Sequence, residues 1–114
     1  MKIKGIVISG KNKGEKNGFP TINLEITNKY KKDLESGVYA GKVFLNGDEK
    51  KVAIFIGLKK KILEAYILDF SGNLRGKEAE VEIGEKIRDV MNFSSDEKLI
   101  RQIERDVEKV GDMG

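Results

Sequence analysis

The sequence contains no cysteine, no histidine and only one proline among its 114 residues. Without cysteine, the protein cannot form disulfides or thiolate-bound zinc sites, and without histidine it lacks the most common metal ligand and general base. Acid–base chemistry would therefore depend on Asp, Glu, Lys or Tyr. Any bound metal would have oxygen ligands, which favours magnesium, or manganese as the alternative, over zinc.

Long hydrophobic runs are also missing. No stretch approaches the roughly 20 apolar residues of a membrane span, and residues 1–9 contain two lysines without the apolar centre of a signal peptide. We therefore expect a cytoplasmic protein, and the length predicts a single domain over residues 1–114. The net charge of +3 suits an anionic small ligand as well as nucleic acid and does not decide between them.

Six short segments with strand-like patterns precede one helical segment. The Asn46-Gly47 pair between two of them is the strongest hairpin signal in the sequence. Six short strands joined by turns predict a mainly β, closed antiparallel barrel, because closure removes exposed strand edges. A two-sheet sandwich is the alternative. The predicted strands cover residues 2–9, 21–27, 38–45, 51–57, 62–70 and 78–83.

The C-terminal pattern predicts a helix over about residues 95–110 that packs on the barrel. Ser94 followed by Glu97 fits a capping box, and Gly111 is a natural stop. Apolar residues recur at helical spacing on one face, with charges on the other. These apolar residues are Leu99, Ile100, Ile103, Val107 and Val110.

A loop rich in glycine and lysine, residues 10–18, follows the first predicted strand. Glycines allow close approach of the backbone to a ligand, backbone N–H groups can cradle phosphate oxygens, and lysines add positive charge. The pattern differs from a Walker A loop and is equally typical of a solvated hairpin loop. The candidate phosphate-binding residues in this loop are Gly10, Lys11, Gly14, Lys16 and Gly18.

The next strand begins directly after Pro20, whose missing N–H is tolerated at a strand entrance. From there the pattern alternates, so that Thr21 and Asn23 share one face. A hydroxyl and a carboxamide in this arrangement are suited to a metal ion or a phosphate. An ordinary solvated strand face gives the same pattern.

Glu64 lies on a strand face with mostly apolar neighbours, together with Ile62, Tyr66 and Leu68. A desolvated carboxylate has a raised pKa and can accept a proton from a hydroxyl group near neutral pH. The alternative is that this face points outward while Leu63, Ala65 and Ile67 point inward.

Arg88 and Phe93 fall in the segment that we expect between the last strand and the helix. An arginine and an aromatic ring near a barrel mouth can hold a planar ligand. Packing of the loop against the helix is the alternative interpretation.

Several short motifs occur in the order in which they occur in one known family. The most specific is Pro-Thr-x-Asn after a glycine-rich loop. The motifs are Gly18-Phe19-Pro20-Thr21-Ile22-Asn23, Gly37-Val38-Tyr39-Ala40, Ile56-Gly57, Leu63-Glu64 with Leu68-Asp69-Phe70, Leu74-Arg75-Gly76, Arg88, Phe93, and Gln102-Ile103 with Asp106. On these residues the chain resembles the riboflavin kinase (flavokinase) family along nearly its whole length. The turn after Gly57 is shorter than the usual family loop.

The resemblance implies a six-stranded Greek-key barrel with a terminal helix. It also implies transfer of the γ-phosphoryl group of Mg-ATP to the 5′-hydroxyl of riboflavin, giving FMN and ADP. Neither nucleic acid nor a membrane is then an expected partner, and we expect a monomer. The bifunctional bacterial form of the family carries an adenylyltransferase domain ahead of the kinase domain. This sequence shows no such segment, so we do not expect FAD synthesis.

The resemblance also implies roles for individual residues. Thr21 and Asn23 would hold the magnesium ion and the nucleotide phosphates, and the residues of the glycine-rich loop together with Pro20 would contact the nucleotide. Glu64 would position the ribityl hydroxyl and accept its proton. Arg88 and Phe93 would lie on the flavin side.

Two other functions remain open from the sequence. The short turn after Gly57 is compatible with a flavin- or nucleotide-binding module that has lost turnover. The 22 basic residues are compatible with a small nucleic-acid-binding barrel, although residues 10–18 contain no aromatic side chain for base stacking.

Overall fold

The computed structural model describes residues 1–8, 21–45, 47–67 and 76–113. Six strands and two helices occur in this part of the chain. The strands are β1 (Lys2–Ile6), β2 (Thr21–Glu25), β3 (Gly37–Leu45), β4 (Asp48–Ile56), β5 (Ile62–Ile67) and β6 (Glu78–Arg88). The helices are α1 (Asn28–Lys31) and α2 (Asp96–Asp112). Neither helix of the described residues has the length and apolar composition of a membrane-spanning helix.

All six strands belong to one antiparallel sheet in the order β1-β6-β3-β4-β5-β2. The two edge strands approach each other where the Ile8 N–H donates to the Asn23 carbonyl at 2.8 Å. The sheet is therefore a nearly closed barrel, as predicted, and the two-sheet alternative is wrong. Because β3, β4 and β5 are consecutive and β2 returns beside β5, these four strands form a Greek key.

The barrel interior is filled by alternate side chains of the strands. Inward residues of β2 and β5 include Leu24 and Leu63, both completely buried. The alternation arises because successive side chains of a strand point to opposite faces. The largest fully buried side chains are Ile3, Ile22, Leu24, Val43, Val52, Ile54, Ile56, Leu63 and Val81.

The predicted hairpin joins β3 to β4. Leu45 is paired with Asp48, and Gly47 has a φ of 82°, a value that favours glycine in a tight turn. Asn46 lies outside the described residues, as do residues 9–20 and the predicted turn at residues 71–73.

Strand β6 is longer than predicted and extends to Arg88 instead of ending at Ile83. Against β3 it carries two extra residues: β3 advances three positions from Val38 to Gly41, while β6 advances five from Ile83 to Arg88. Such bulges keep a strand paired while they redirect its side chains. Arg88 therefore lies at the end of a strand, and its predicted place in the following connection is wrong.

Helix α2 begins one residue later than the predicted capping box implies. Ser95, not Ser94, is the N-cap, and its hydroxyl accepts a hydrogen bond from the Lys98 N–H at 3.3 Å. The helix continues through Gly111, which was expected to end it. The short helix α1 was not predicted.

Candidate active site

The polar face of β2 lies against the Glu64 face of β5. Thr21 is paired with Tyr66 and Asn23 with Glu64 in the antiparallel register. Side chains at directly opposed positions point to the same side, and their Cβ atoms are about 5 Å apart. The register thus brings Thr21 and Asn23 beside Glu64, which the sequence singled out separately, on the outer side of the barrel wall. Asn23 is 3% exposed, which excludes an ordinary solvated face.

Glu64 is half-buried although it points away from the barrel interior. Its neighbours Leu63, Ala65 and Ile67 fill the core, as the inward–outward alternative proposed. Burial raises the pKa of Glu64 above its ordinary value of 4.5, and the hydrogen bond from Tyr66 opposes this rise. The outward face is therefore neither core nor open surface, which is a setting suited to a general base.

Tyr66 is the hydrogen-bond partner of Glu64. Its hydroxyl donates to Glu64 Oε2 at 3.0 Å. Burial, and after it the negative charge of Glu64, raise the pKa of Tyr66, so the hydroxyl stays protonated and acts as a donor. This bond leaves the second carboxylate oxygen of Glu64 available to another donor.

A cavity of about 220 Å³ lies beside Glu64, between the barrel wall and α2. Phe55 of β4 and Phe93 of the connection before α2 contribute aromatic surface, and Arg88 contributes a cation. The lining residues are Val38, Ala53, Phe55, Glu64, Tyr66, Arg88, Met91, Phe93, Leu99, Ile103 and Asp106. A mostly apolar cavity with a few polar groups is typical of a small-molecule site.

Arg88 is held at this cavity by a carboxylate of α2. Its Nε and Nη2 atoms donate to Asp106 Oδ1 and Oδ2 at 3.0 and 2.7 Å, and its Nη1 atom donates to the Asp89 carbonyl at 3.0 Å. Gln102 Nε2 also donates to Asp106 Oδ1 at 3.0 Å. Asp106 is 5% exposed, so this two-bond ion pair is largely removed from water.

Several predicted site residues therefore occur in one region. Glu64, Arg88 and Phe93 line the cavity, and Thr21 and Asn23 lie on the strand next to Glu64. The remaining predicted residues lie outside the described part of the chain, so the phosphate-loop prediction is not tested by the geometry. These residues are Gly10, Lys11, Gly14, Lys16, Gly18 and Pro20.

Two residues of the site were missed as functional candidates by reasoning from the residues alone. Asp106 lies on the buried face of α2 with Ile103 and Val110, where a charged residue is out of place. Tyr66 occupies the same strand face as Glu64, two positions along. A charged residue on an otherwise apolar helix face was the available signal for Asp106.

The donor set near Glu64 consists only of oxygen ligands that hard cations prefer. Thr21 supplies a hydroxyl, Asn23 a carboxamide and Glu64 a carboxylate. The described residues contain no cluster of three acidic side chains that would form an all-protein metal cage. The set fits a magnesium ion that takes part of its coordination from substrate phosphates, which is how this ion is commonly bound.

Comparison with known proteins gives a consistent result. A family model described as riboflavin kinase matches residues 1–113. The bifunctional riboflavin kinase/FMN adenylyltransferase of Buchnera aphidicola subsp. Schizaphis graminum is 36% identical over 119 residues, covering 96% of this chain and 38% of the relative. The RNA-binding riboflavin kinase RibR of Bacillus subtilis is 34% identical over 112 residues, covering 92% of this chain and 47% of the relative.

A solved structure shares the fold. The crystal structure of riboflavin kinase from Trypanosoma brucei superposes with a TM-score of 0.72 at 24% identity, covering 98% of this chain and 75% of that one. The chain spans less than half the length of the two curated relatives above. Similarity over this shared portion establishes the family and the fold of the chain.

Proposed function

The chain belongs to the riboflavin kinase family, and on this premise we propose that it transfers the γ-phosphoryl group of ATP to the 5′-hydroxyl of riboflavin, giving FMN and ADP. The observation that carries this proposal is the pairing of Asn23 with Glu64, whose side chain lines the cavity. This pairing supports the proposal because it puts a candidate phosphate-binding residue next to a candidate base. In-line phosphoryl transfer requires both groups close to the reacting atoms.

Glu64 is the proposed general base. Its carboxylate accepts the proton of the 5′-hydroxyl as the hydroxyl oxygen bonds to the γ-phosphorus, and the bond from that phosphorus to the β–γ bridging oxygen breaks. The proton leaves Glu64 for solvent after FMN forms. Burial of Glu64 supports this role because it raises the pKa of the carboxyl group, so that the carboxylate accepts a proton more readily.

Thr21 and Asn23 are the proposed holders of a magnesium ion and the nucleotide phosphates. Bound magnesium would neutralise the negative charge that develops on the transferring phosphoryl group. The β2–β5 register supports this role, because it keeps both side chains on the face of Glu64. The glycine-rich loop before Pro20 is proposed to cover the same phosphates.

The cavity is the proposed riboflavin site. The aromatic walls formed by Phe55 and Phe93 suit a planar ring system, and Arg88 adds hydrogen-bond donors at its edge. The position of Glu64 in the same cavity wall supports placement of the ribityl hydroxyl near the base.

The test is direct detection of FMN from riboflavin, magnesium and a nucleotide, with ATP compared with other nucleoside triphosphates. We expect Glu64→Gln to lower kcat by about 10²- to 10⁴-fold, the usual contribution of a general base. Glu25→Gln, at an exposed position on the neighbouring strand, is the matched control and should leave kcat unchanged.

Two outcomes would contradict the proposed function. If wild-type protein and Glu64→Gln both fail to form FMN, the transfer reaction is excluded. If the wild type binds FMN and ADP in calorimetry but forms no product, the chain is a binding module without turnover.

We propose RNA binding as a second candidate function, because of a lysine cluster at one end of the barrel. The turn between β4 and β5 meets the segment after β2 where the Ile26 N–H donates to the Lys61 carbonyl at 2.8 Å. Within the described ranges none of these lysines has an acidic partner, unlike Lys2 or Lys4 of β1. The lysine cluster consists of Lys29, Lys31, Lys32, Lys59, Lys60 and Lys61. One relative is itself named an RNA-binding riboflavin kinase.

Binding of a labelled single-stranded RNA, followed by anisotropy at 50 and 200 mM salt, tests this candidate. Unpaired lysines that contact phosphates release counterions, so affinity should fall steeply with salt. Lys59→Gln with Lys61→Gln should weaken binding, whereas Lys2→Gln with Lys4→Gln should not. Equal effects of both double variants, or no binding at 50 mM salt, would exclude the lysine cluster as an RNA site.

A further inference from the structure

Arg88 lies directly after two bulges of β6 and lines the cavity. Gly84 lies so close to β3 that a Cβ there would be 2.8 Å from the Ala40 carbonyl oxygen. Bulges next to binding sites commonly redirect a side chain. The sheet geometry thus sets the position of the Arg88 backbone. The guanidinium group at the end of this long side chain still needs a partner to hold it in one orientation.

Asp106 supplies that partner, and most of its hydrogen-bonding capacity is used within the protein, because three donors already bind its two oxygens. Its Oδ1 accepts from Arg88 Nε and Gln102 Nε2, and its Oδ2 accepts from Arg88 Nη2. Arg88 uses three of its five N–H groups in these bonds and in the bond to the Asp89 carbonyl. Within the described part of the chain, the other two N–H groups have no partner, although Arg88 lines the cavity.

Other contacts besides this ion pair attach α2 to the barrel. Lys51 Nζ donates to the carbonyls of Gly111 and Met113 at 3.4 and 2.8 Å, and Val110 packs against Ala40 and Ala53. Buried ion pairs also contribute little net stability, because desolvation offsets their attraction. A two-bond carboxylate–guanidinium pair is better explained by the orientation that it imposes on the guanidinium.

We propose that Asp106 is a positioning residue that fixes the Arg88 guanidinium in the cavity wall, so that its remaining N–H groups bind an acceptor atom of the flavin ring. In this proposal Asp106 acts on substrate binding through Arg88. This inference rests on the proposed riboflavin kinase activity. It predicts that Asp106 affects the binding of riboflavin and leaves the binding of the nucleotide unchanged.

The experiment measures KM for riboflavin and for ATP, together with kcat, in Asp106→Asn, Arg88→Gln and the double variant. Loss of a hydrogen bond from a charged donor should raise KM for riboflavin about tenfold or more in each single variant, while KM for ATP changes less than about twofold. The double variant should be no worse than Arg88→Gln, because Asp106 acts only through Arg88. Arg88→Lys keeps the charge, loses the two-bond geometry and should resemble Asp106→Asn; it remains informative if Asp106→Asn fails to fold.

Lys51→Gln is the matched control, since it removes a different attachment of α2 that lies away from the cavity. It should lower the melting temperature without changing KM for riboflavin. The inference is overturned if Asp106→Asn leaves that KM unchanged, if both KM values rise equally, or if the two substitutions are additive. Wild-type protein that neither forms FMN nor binds riboflavin would instead overturn the proposed function.

Discussion

The pKa of Glu64 depends on its position on the outer face of β5, where it is half-buried and lines the cavity beside α2. Desolvation is the larger influence on its pKa, and the Tyr66 hydroxyl is the smaller, opposing one. Within the described part of the chain, burial and this hydroxyl group therefore account for the direction of the shift. Two consequences at the scale of single residues can be measured.

The first consequence is a dependence of stability on pH. Because burial raises the folded-state pKa of Glu64, its contribution to stability is present below the ordinary value of 4.5 and is lost as pH rises through the folded pKa. Glu64→Gln cannot ionise, so we expect it to be more stable than wild type near pH 7 and to lose this advantage as the pH falls toward 4.5. Urea unfolding across this range measures the difference, and the same trend in the exposed Glu25→Gln control would rule out burial as its cause.

The second consequence concerns the hydrogen bond from Tyr66. Because this bond lowers the pKa of Glu64, Tyr66→Phe should raise that pKa further and move the acidic limb of the kcat/KM profile to higher pH. Tyr39→Phe is the matched control, since its hydroxyl donates to the Glu35 carbonyl at 2.6 Å, away from the cavity. A profile of Tyr66→Phe that overlays the wild type would show that Glu64 is not the titrating base.

At the scale of elements, the start of α2 is set by one hydroxyl group. Ser95 accepts from the Lys98 N–H and satisfies one of the N–H groups left open at the helix start. We expect Ser95→Ala to lower the free energy of unfolding by about 1 kcal/mol. The neighbouring Ser94→Ala serves as control and should change it by less than about 0.5 kcal/mol, the usual range for a surface position. Equal losses in urea unfolding would contradict this cap.

The β3–β6 contact depends on the small size of Gly41. A Cβ at this position would collide with the Glu82 carbonyl oxygen and with Ile54 Cδ1, whereas at Gly5 it would meet Leu24 at an ordinary 3.5 Å. We expect Gly41→Ala to destabilise the protein by about 1–3 kcal/mol, as overpacking usually does, and Gly5→Ala to cost less. Comparison of the two urea midpoints provides the test. If Gly41→Ala unfolds at the wild-type midpoint, then β3 and β6 can move apart at this position without a loss of stability.

At the scale of the whole molecule, the barrel was predictable because its signals are local. Alternation in residues 21–26, the Asn46-Gly47 turn and the apolar face of the helix each follow from a few neighbouring residues. The family resemblance added the link between distant motifs. The register that places Asn23 opposite Glu64 depends on contacts between strands far apart in sequence, which alternation alone does not specify.

What could not be predicted also has a physical explanation. The extension of β6 to Arg88 depends on bulges that local patterns do not reveal, and Gly111 continues the helix even though glycine often ends one. Asp106 was recognisable as a charge on an apolar face, but its partner Arg88 lies 18 positions earlier in the chain. Pairings of this kind become visible only when α2 is placed against the barrel.

Ligand binding should stabilise the whole molecule, because the proposed riboflavin site is formed jointly by β4, β5, β6 and α2 and cannot persist in the unfolded chain. At a riboflavin concentration 100 times Kd, mass action adds about 2.7 kcal/mol, which for a domain of this size is a rise in Tm of about 10 °C. Calorimetric melting with and without riboflavin measures this shift. Arg88→Lys should reduce the shift at the same ligand concentration, and Lys51→Gln should preserve it even though its own Tm is lower. A shift that is lost in Lys51→Gln and retained in Arg88→Lys would place the ligand outside this cavity.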